Sequence, residues 1–248
     1  MLWPLWVSLK QLLLPAHCAA CGAASPADSR MPLCAACGRK LAALIETGFC
    51  LRCGRAAGEY ASNADGCATC RGRPLAYDGA VRLGSYEEPL RSLVLHYKYQ
   101  RRAELGSVLG RLLAERLVLA PWADAVDIVV PVPLHWTRRM SRGFNQADGL
   151  AWHQAAACGR QLERRLLRVR PTPHQTRLRA GQRAENVRGA FRARGASRAA
   201  GKKVLLVDDV MTSGATVSEC ARALKHCGAA AVYVAVLAVA RHDEPGPW

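Results

Sequence analysis

The chain of 248 residues carries 35 Lys and Arg against 19 Asp and Glu, a formal charge of +16, and half of it is hydrophobic. That composition excludes general disorder and predicts a substantial core. The shortage of acids points to polyanionic partners: nucleic acid, phosphorylated metabolites, or both.

Residues 1–14 (MLWPLWVSLKQLLL) are apolar, but Pro4 and Lys10 interrupt them and no basic stretch precedes them. They are too short to span a bilayer. A lipoprotein reading of the approach to Cys18 fails on His17, which stands where a small residue is required. A short N-terminal helix over 1–15 is expected instead, with no membrane insertion. Free thiolates without an export signal suit the reducing cytoplasm.

Eight of the 11 cysteines form four C-x-x-C pairs: Cys18/Cys21, Cys34/Cys37, Cys50/Cys53 and Cys67/Cys70. Successive pairs are 12, 12 and 13 residues apart. Evenly repeated pairs read as metal knuckles rather than a disulfide framework, and tetrahedral zinc takes two knuckles per ion. Sequential pairing gives two zinc ribbons in series, although the near-equal spacing leaves a crossed pairing open. A tetrathiolate site is closed, so both zinc ions are structural; docking to DNA or protein is the further use such ribbons have. Gly22, Gly38 and Gly54 each follow a pair, and positive φ there would turn amides toward the sulfurs. Two zinc ions on eight thiolates lower the net charge to about +12. The double ribbon is expected over 16–72, with the boundary at Arg71-Gly-Arg-Pro74.

Beyond it, residues 80–86 read as a strand entering a hairpin. Leu105, Val108, Leu109, Leu112 and Leu113 recur at helical spacing, predicting a helix over 103–119. A buried strand follows at 127–130, ending in Pro131-Val-Pro133, then a helix over 145–157 and a strand at 204–207. Val217, Cys220, Ala221 and Leu224 line a helix that Gly228 ends, and 231–239 is the last strand. Strands alternating with helices across short loops predict an α/β domain over 73–248, a parallel sheet flanked by helices. Cys158, Cys220 and Cys227 fall on helix faces or ends and read as packing residues.

The most informative segment is Val204-Leu-Leu-Val-Asp-Asp-Val-Met-Thr-Ser-Gly-Ala-Thr216. An apolar strand delivers two carboxylates to its C-terminal edge, where parallel sheets bind ligands. The hydroxyl- and glycine-rich turn then opens a helix whose N-terminus suits a phosphate. Asp208 and Asp209 would repel that phosphate, so they suit sugar hydroxyls or Mg2+. Thr216 and Glu219 also have the spacing of a capping box. A P-loop ATPase is excluded, because no G-x-x-x-x-G-K-[ST] occurs in the chain.

This segment resembles the phosphoribosyl pyrophosphate (PRPP) motif of type I phosphoribosyltransferases. Residues 133–147 (PLHWTRRMSRGFNQA), 170–178 (RPTPHQTRL) and 183–191 (RAENVRGAF) are similar to the ComF family, which is associated with natural transformation. The resemblance implies a type I phosphoribosyltransferase-like sheet behind the zinc ribbons. It assigns Asp208 and Asp209 to the ribose hydroxyls as the catalytic pair, and Met211, Thr212, Ser213, Gly214, Ala215 and Thr216 to the 5′-phosphate. Ser213 stands where many transferases have Thr. Val132 and Pro133 would bend around pyrophosphate, Arg138, Arg139 and Arg142 would neutralise it, and Asn145 and Gln146 would position sugar or base. Residues 170–191, with Arg177, Arg183 and Asn186, resemble a lid that closes over PRPP.

Two roles follow. In one, PRPP or a nucleotide is a ligand, and the protein serves DNA uptake through single-stranded DNA or DNA-processing proteins. In the other, it is a Mg2+-dependent phosphoribosyltransferase whose unknown acceptor base is selected by a hood around 77–102. Charge and ribbons favour the first. The oligomeric state is open.

Overall fold

The computed structural model describes residues 17–25, 31–58, 62–63, 66–99, 103–135, 140, 143–171, 180–194 and 198–240. The helix expected over 1–15 lies outside them. The ribbon region contributes α1 (Ala35–Glu46) and two short antiparallel strands, β1 (Ser62–Asn63) and β2 (Gly66–Cys67). Next come β3 (Gly79–Ser85), α2 (Leu90–Tyr99), α3 (Ala103–Leu117), β4 (Ile128–Pro131), α4 (Gln146–Cys158) and β5 (Gln161–Leu162). Then follow β6 (Leu166–Arg168), α5 (Ala180–Val187), β7 (Phe191–Ala193), β8 (Lys203–Met211), α6 (Ala215–His226) and β9 (Ala231–Val239).

Five strands form one sheet in the order β3-β9-β8-β4-β5, and every pairing in it is parallel. The expected hairpin at 80–86 is therefore corrected. Strand β3 lies parallel to β9 at the sheet edge, because the chain leaves it through α2. Strand alternation divides the core in two. Leu205, Val207, Ala235 and Leu237 face one cluster, which α2, α3 and α4 cover through residues such as Leu93, Leu109 and Leu150. Val204, Leu206, Val232 and Val234 face the other, where α6 buries Val217, Cys220, Ala221 and Leu224. Both faces of β8 and β9 are covered, which is why their sequences read as continuous apolar runs.

The ribbon region shares this core. Cys18, Cys37 and Leu41 belong to the same cluster as Leu90 and Leu237. The His96 ring Nδ1 lies 2.6 Å from the Ala19 carbonyl, and the Ala80 amide donates to the Leu51 carbonyl at 2.7 Å. Tyr97 of α2 is seated on glycines of α3 and α4. A Cβ on Gly106 would lie 2.6 Å from the Tyr97 ring, and one on Gly149 2.9 Å from the Tyr97 hydroxyl. Gly106→Ala should therefore cost about 1–3 kcal/mol by overpacking, read as a lower urea midpoint. An unchanged midpoint would show that Tyr97 is not wedged there.

Candidate ribose-phosphate pocket and metal centres

The four C-x-x-C pairs converge sequentially, Cys18/Cys21 with Cys34/Cys37 and Cys50/Cys53 with Cys67/Cys70, all sulfurs within each tetrad lying within 4.8 Å of one another. The crossed pairing is eliminated. A tetrahedron with metal–sulfur bonds of about 2.3 Å has edges of about 3.8 Å. The separations are 3.8 Å for Cys21–Cys34 and 3.7 Å for both Cys50–Cys70 and Cys53–Cys67, so the donor sets fit zinc. The first and third knuckles repeat one turn: Gly22 and Gly54 both have φ of 76° and donate to the Cys18 and Cys50 carbonyls. Gly38 departs from its expectation. Cys34 is the N-cap of α1, so Gly38 sits inside the helix and takes no positive φ.

The second tetrad is the more deeply set, with Cys53 and Cys70 0% exposed. Arg52 ties its two halves by donating to the Cys70 and Arg73 carbonyls at 2.7 and 2.8 Å. The tetrad also touches the sheet. The Tyr77 hydroxyl donates to the Cys53 carbonyl at 3.3 Å and lies 3.7 Å from the Met211 sulfur.

The pocket stands at the reversal of strand order. From β8 the chain passes through α6 to β9 on one side, while β4, on the other, leads to β5. The crevice outside the C-terminal ends of β4 and β8 is thus the switch point where ligands bind in such sheets. Asp208, Thr212, Gly214 and Thr216 line a small polar depression there. Gly214, with φ of 81°, is the N-cap of α6, and the first turn of that helix presents amides that no helical carbonyl serves. The capping-box alternative is corrected. Thr216 lies inside the helix, and the Glu219 carboxylate accepts the Gly189 amide at 2.6 Å and Arg222 at 2.9 Å.

The two acids differ. One Asp208 carboxylate oxygen accepts the Asp209 amide at 2.8 Å. Burial and the neighbouring Asp209 charge push the Asp208 carboxyl up to about 7. Asp209 instead meets Lys98 of α2 at 2.8 Å, with the side chains 13% and 16% exposed. Burial works against the Lys98 ammonium, but Asp209, with Asp208 and Tyr86, more than offsets it and the group is raised. At the N-terminal ends of β8 and β9, Asp127 and Asp78 accept the strand amides of Lys203 and Val232, and Asp78 also holds Lys225 at 2.9 Å. Asp208 takes up only the amide of its own neighbour, Asp209, and Asp209 takes up the ammonium.

Other expected residues sit around this pair. Val132 continues the ladder, donating to Val207 at 2.8 Å, and its carbonyl accepts the Asn145 side-chain amide at 3.2 Å. The Gln146 side chain donates to the Lys98 carbonyl at 3.3 Å, and its own carbonyl accepts the Tyr97 hydroxyl at 2.9 Å. Asn145 and Gln146 are buried and brace the pocket wall. Pro133 is half-buried beside Val132. Met211 and Ala215 also line the depression, the Met211 sulfur lying near the Tyr77 hydroxyl, and the Ser213 hydroxyl turns inward to accept the Ala215 amide at 3.5 Å. Arg138, Arg139, Arg142 and Arg177 lie outside the described residues, as does the side chain of Arg183. Asn186 lies in α5, its carbonyl accepting Arg170 at 3.3 Å. The segment that resembles a lid contains a helix, α5, set between the antiparallel strands β6 and β7.

Sequence reasoning missed Lys98. It falls only within the hood expected around 77–102, in a basic run of sequence with His96, Arg101 and Arg102, and lies in the last turn of a helix whose other face, Leu93, Val94 and Tyr97, is buried. Its partner is remote in sequence. Among the described residues, no helix is long and apolar enough to cross a membrane.

The double zinc ribbon domain family matches residues 9–71, and the phosphoribosyl transferase domain family matches residues 163–248. The chain is 36% identical to DNA utilization protein YhgH of Salmonella typhi over 172 residues, 68% of this chain and 75% of that protein. It is 31% identical to competence protein F of Haemophilus influenzae over 176 residues, 69% of this chain and 77% of that protein. A glutamine PRPP amidotransferase from B. subtilis, solved with ADP and GMP, aligns at a TM-score of 0.39 and 24% identity, covering 58% of this chain and 30% of its own. Two thiolate tetrads, a parallel sheet with an acidic strand end, both domain matches and the Salmonella and Haemophilus relatives agree: the chain belongs to the ComF family, a double zinc ribbon joined to a phosphoribosyltransferase-type domain.

Proposed function

We propose that the crevice between β4 and β8 binds PRPP or a nucleotide through its ribose 5-phosphate half, and that the protein uses this site in handling DNA during natural transformation. The observation that carries the reading is the placement of Asp208 beside the Thr212–Thr216 turn at the switch point of the sheet. The turn and the first amides of α6 serve the phosphate, and Asp208 accepts from sugar hydroxyls. Mg2+ accompanies the diphosphate of PRPP, which the arginines at 138, 139 and 142 help to neutralise. The protein acts in the cytoplasm, and its basic surface engages single-stranded DNA or proteins that process it. The names of the relatives, DNA utilization and competence proteins, support that role.

Asp208→Asn should weaken PRPP binding in calorimetry by about tenfold or more, the loss of a charge-assisted hydrogen bond, with the fold intact. Unchanged affinity would overturn the pocket assignment. Single-strand affinity should fall steeply with salt, and a salt-independent or absent anisotropy change would overturn the DNA role. Release of pyrophosphate with any base in a panel would make the protein a transferase instead.

A further inference from the structure

The two acids at the end of β8 do not form a carboxylate pair ready for a metal ion. Only Asp208 lines the pocket; Asp209 already holds an ammonium at 2.8 Å. That ammonium is fixed from behind. Tyr97, next to Lys98, is 2% exposed, wedged between Gly106 and Gly149, and its hydroxyl grips the Gln146 carbonyl. The Gln146 side chain returns to the Lys98 carbonyl. The last turn of α2 is thus bonded to the first turn of α4, and Lys98 is held over the strand end rather than left to solvent.

We propose that Lys98 is the built-in cation of the ribose subsite, a positioning residue that acts through Asp209 and lets the pocket take ribose 5-phosphate without a divalent metal. The reasoning is electrostatic and rests on the pocket assignment above. Two uncompensated carboxylates beside a phosphate dianion repel it strongly where water is scarce. A divalent ion is one way to cancel that repulsion, and an ammonium bonded to one of the two carboxylates is another. With Lys98 in place, Asp209 keeps its position and the ammonium offsets part of its charge, while Asp208 remains available to sugar hydroxyls. The metal requirement then belongs to the diphosphate of PRPP alone, so the site separates into a metal-free ribose 5-phosphate half and a metal-assisted diphosphate half.

The test is calorimetry of the full-length zinc-loaded protein with ribose 5-phosphate, after passage through a magnesium-free buffer and again with added Mg2+. The unaltered protein should bind equally in both, whereas PRPP should bind more tightly with Mg2+. Lys98→Met should lose about tenfold or more in the metal-free buffer and recover on adding Mg2+, while Lys98→Arg should bind without metal. Ribose 5-phosphate binding to the unaltered protein only with Mg2+ would overturn the proposal, as would Lys98→Met binding normally without metal. Because the unaltered protein alone gives the first of these results, the proposal stays decidable even where a variant fails to fold. Binding of ribose 5-phosphate under neither condition would overturn the pocket assignment itself, and with it this inference.

Discussion

Cys53→Ser is expected to empty the second metal site and lower the melting temperature of the whole protein, not of the ribbon alone. The tetrad is buried, and its knuckle packs directly on the sheet. A Cβ on Gly54 would lie 3.1 Å from the Met211 side chain and 3.3 Å from Ala80, so the turn has no slack. Structural zinc contributes on the order of 10 kcal/mol or more to small ribbons, and part of that stability here is passed to β3 and β8. A loss of about 5 kcal/mol corresponds to a fall of about 10 °C or more in a chain of this size. Cys21→Ser should do less, because Cys21 is exposed and its tetrad lies nearer the surface. Metal analysis should return about two zinc ions per chain in the unaltered protein and one in each variant. Two zinc ions and an unchanged melting temperature in Cys53→Ser would refute the coupling.

Asp208→Asn and Asp209→Asn, one residue apart, should change stability in opposite directions at pH 8. Burial and the Asp209 charge hold the folded-state Asp208 carboxyl near 7, well above the ordinary value of about 3.9. Between those values the folded state keeps a proton that the unfolded state has lost, so stability falls as pH rises from about 4 to about 7 and is level above that. Asparagine removes the penalty, and Asp208→Asn should gain about 1 kcal/mol at pH 8 and nothing below pH 4. Asp209→Asn deprives a largely buried ammonium of its partner. Breaking a fully buried pair costs about 3–5 kcal/mol; with both groups slightly exposed and Asp208 still near Lys98, a loss of about 1–3 kcal/mol is expected. Urea denaturation of both variants at pH 4.5 and pH 8 reads the signs. The same sign for both would show that the two acids share one environment.

What could be read in the sequence was local. Cysteine spacing is a ligand pattern in itself, and the acidic end of β8 followed by a glycine turn needs only the strand and the helix beside it. What could not be read was set at a distance. Equal spacing cannot distinguish sequential from crossed tetrads; the 3.7 Å sulfur contacts do. Gly38 follows its cysteine as Gly22 does, yet Cys34 caps a helix and the backbone at Gly38 stays helical. Residues 80–86 have strand character whichever neighbour they pair with, and only the helix that follows makes β3 a parallel edge. Lys98 looks like any solvated lysine until the fold brings α2 against the end of β8. The pocket wall of Asn145 and Gln146 is similar: both are expected among the ligand contacts, and their hydrogen bonds to the Val132 and Lys98 carbonyls are made between elements the sequence does not place side by side.

Strand β3 is buried along its whole length, paired with β9 on one side and met on the other by the Leu51 carbonyl of the second ribbon. That ribbon is therefore also a cover for the edge of the sheet. A chain that folds before it acquires metal is expected to leave the outer side of Ala80-Val-Arg-Leu83 unpaired, the template on which strands of separate molecules add to one another. Zinc supplied during synthesis is then expected to keep more of the protein dispersed, with the newly made chain the species most exposed to aggregation when zinc is scarce.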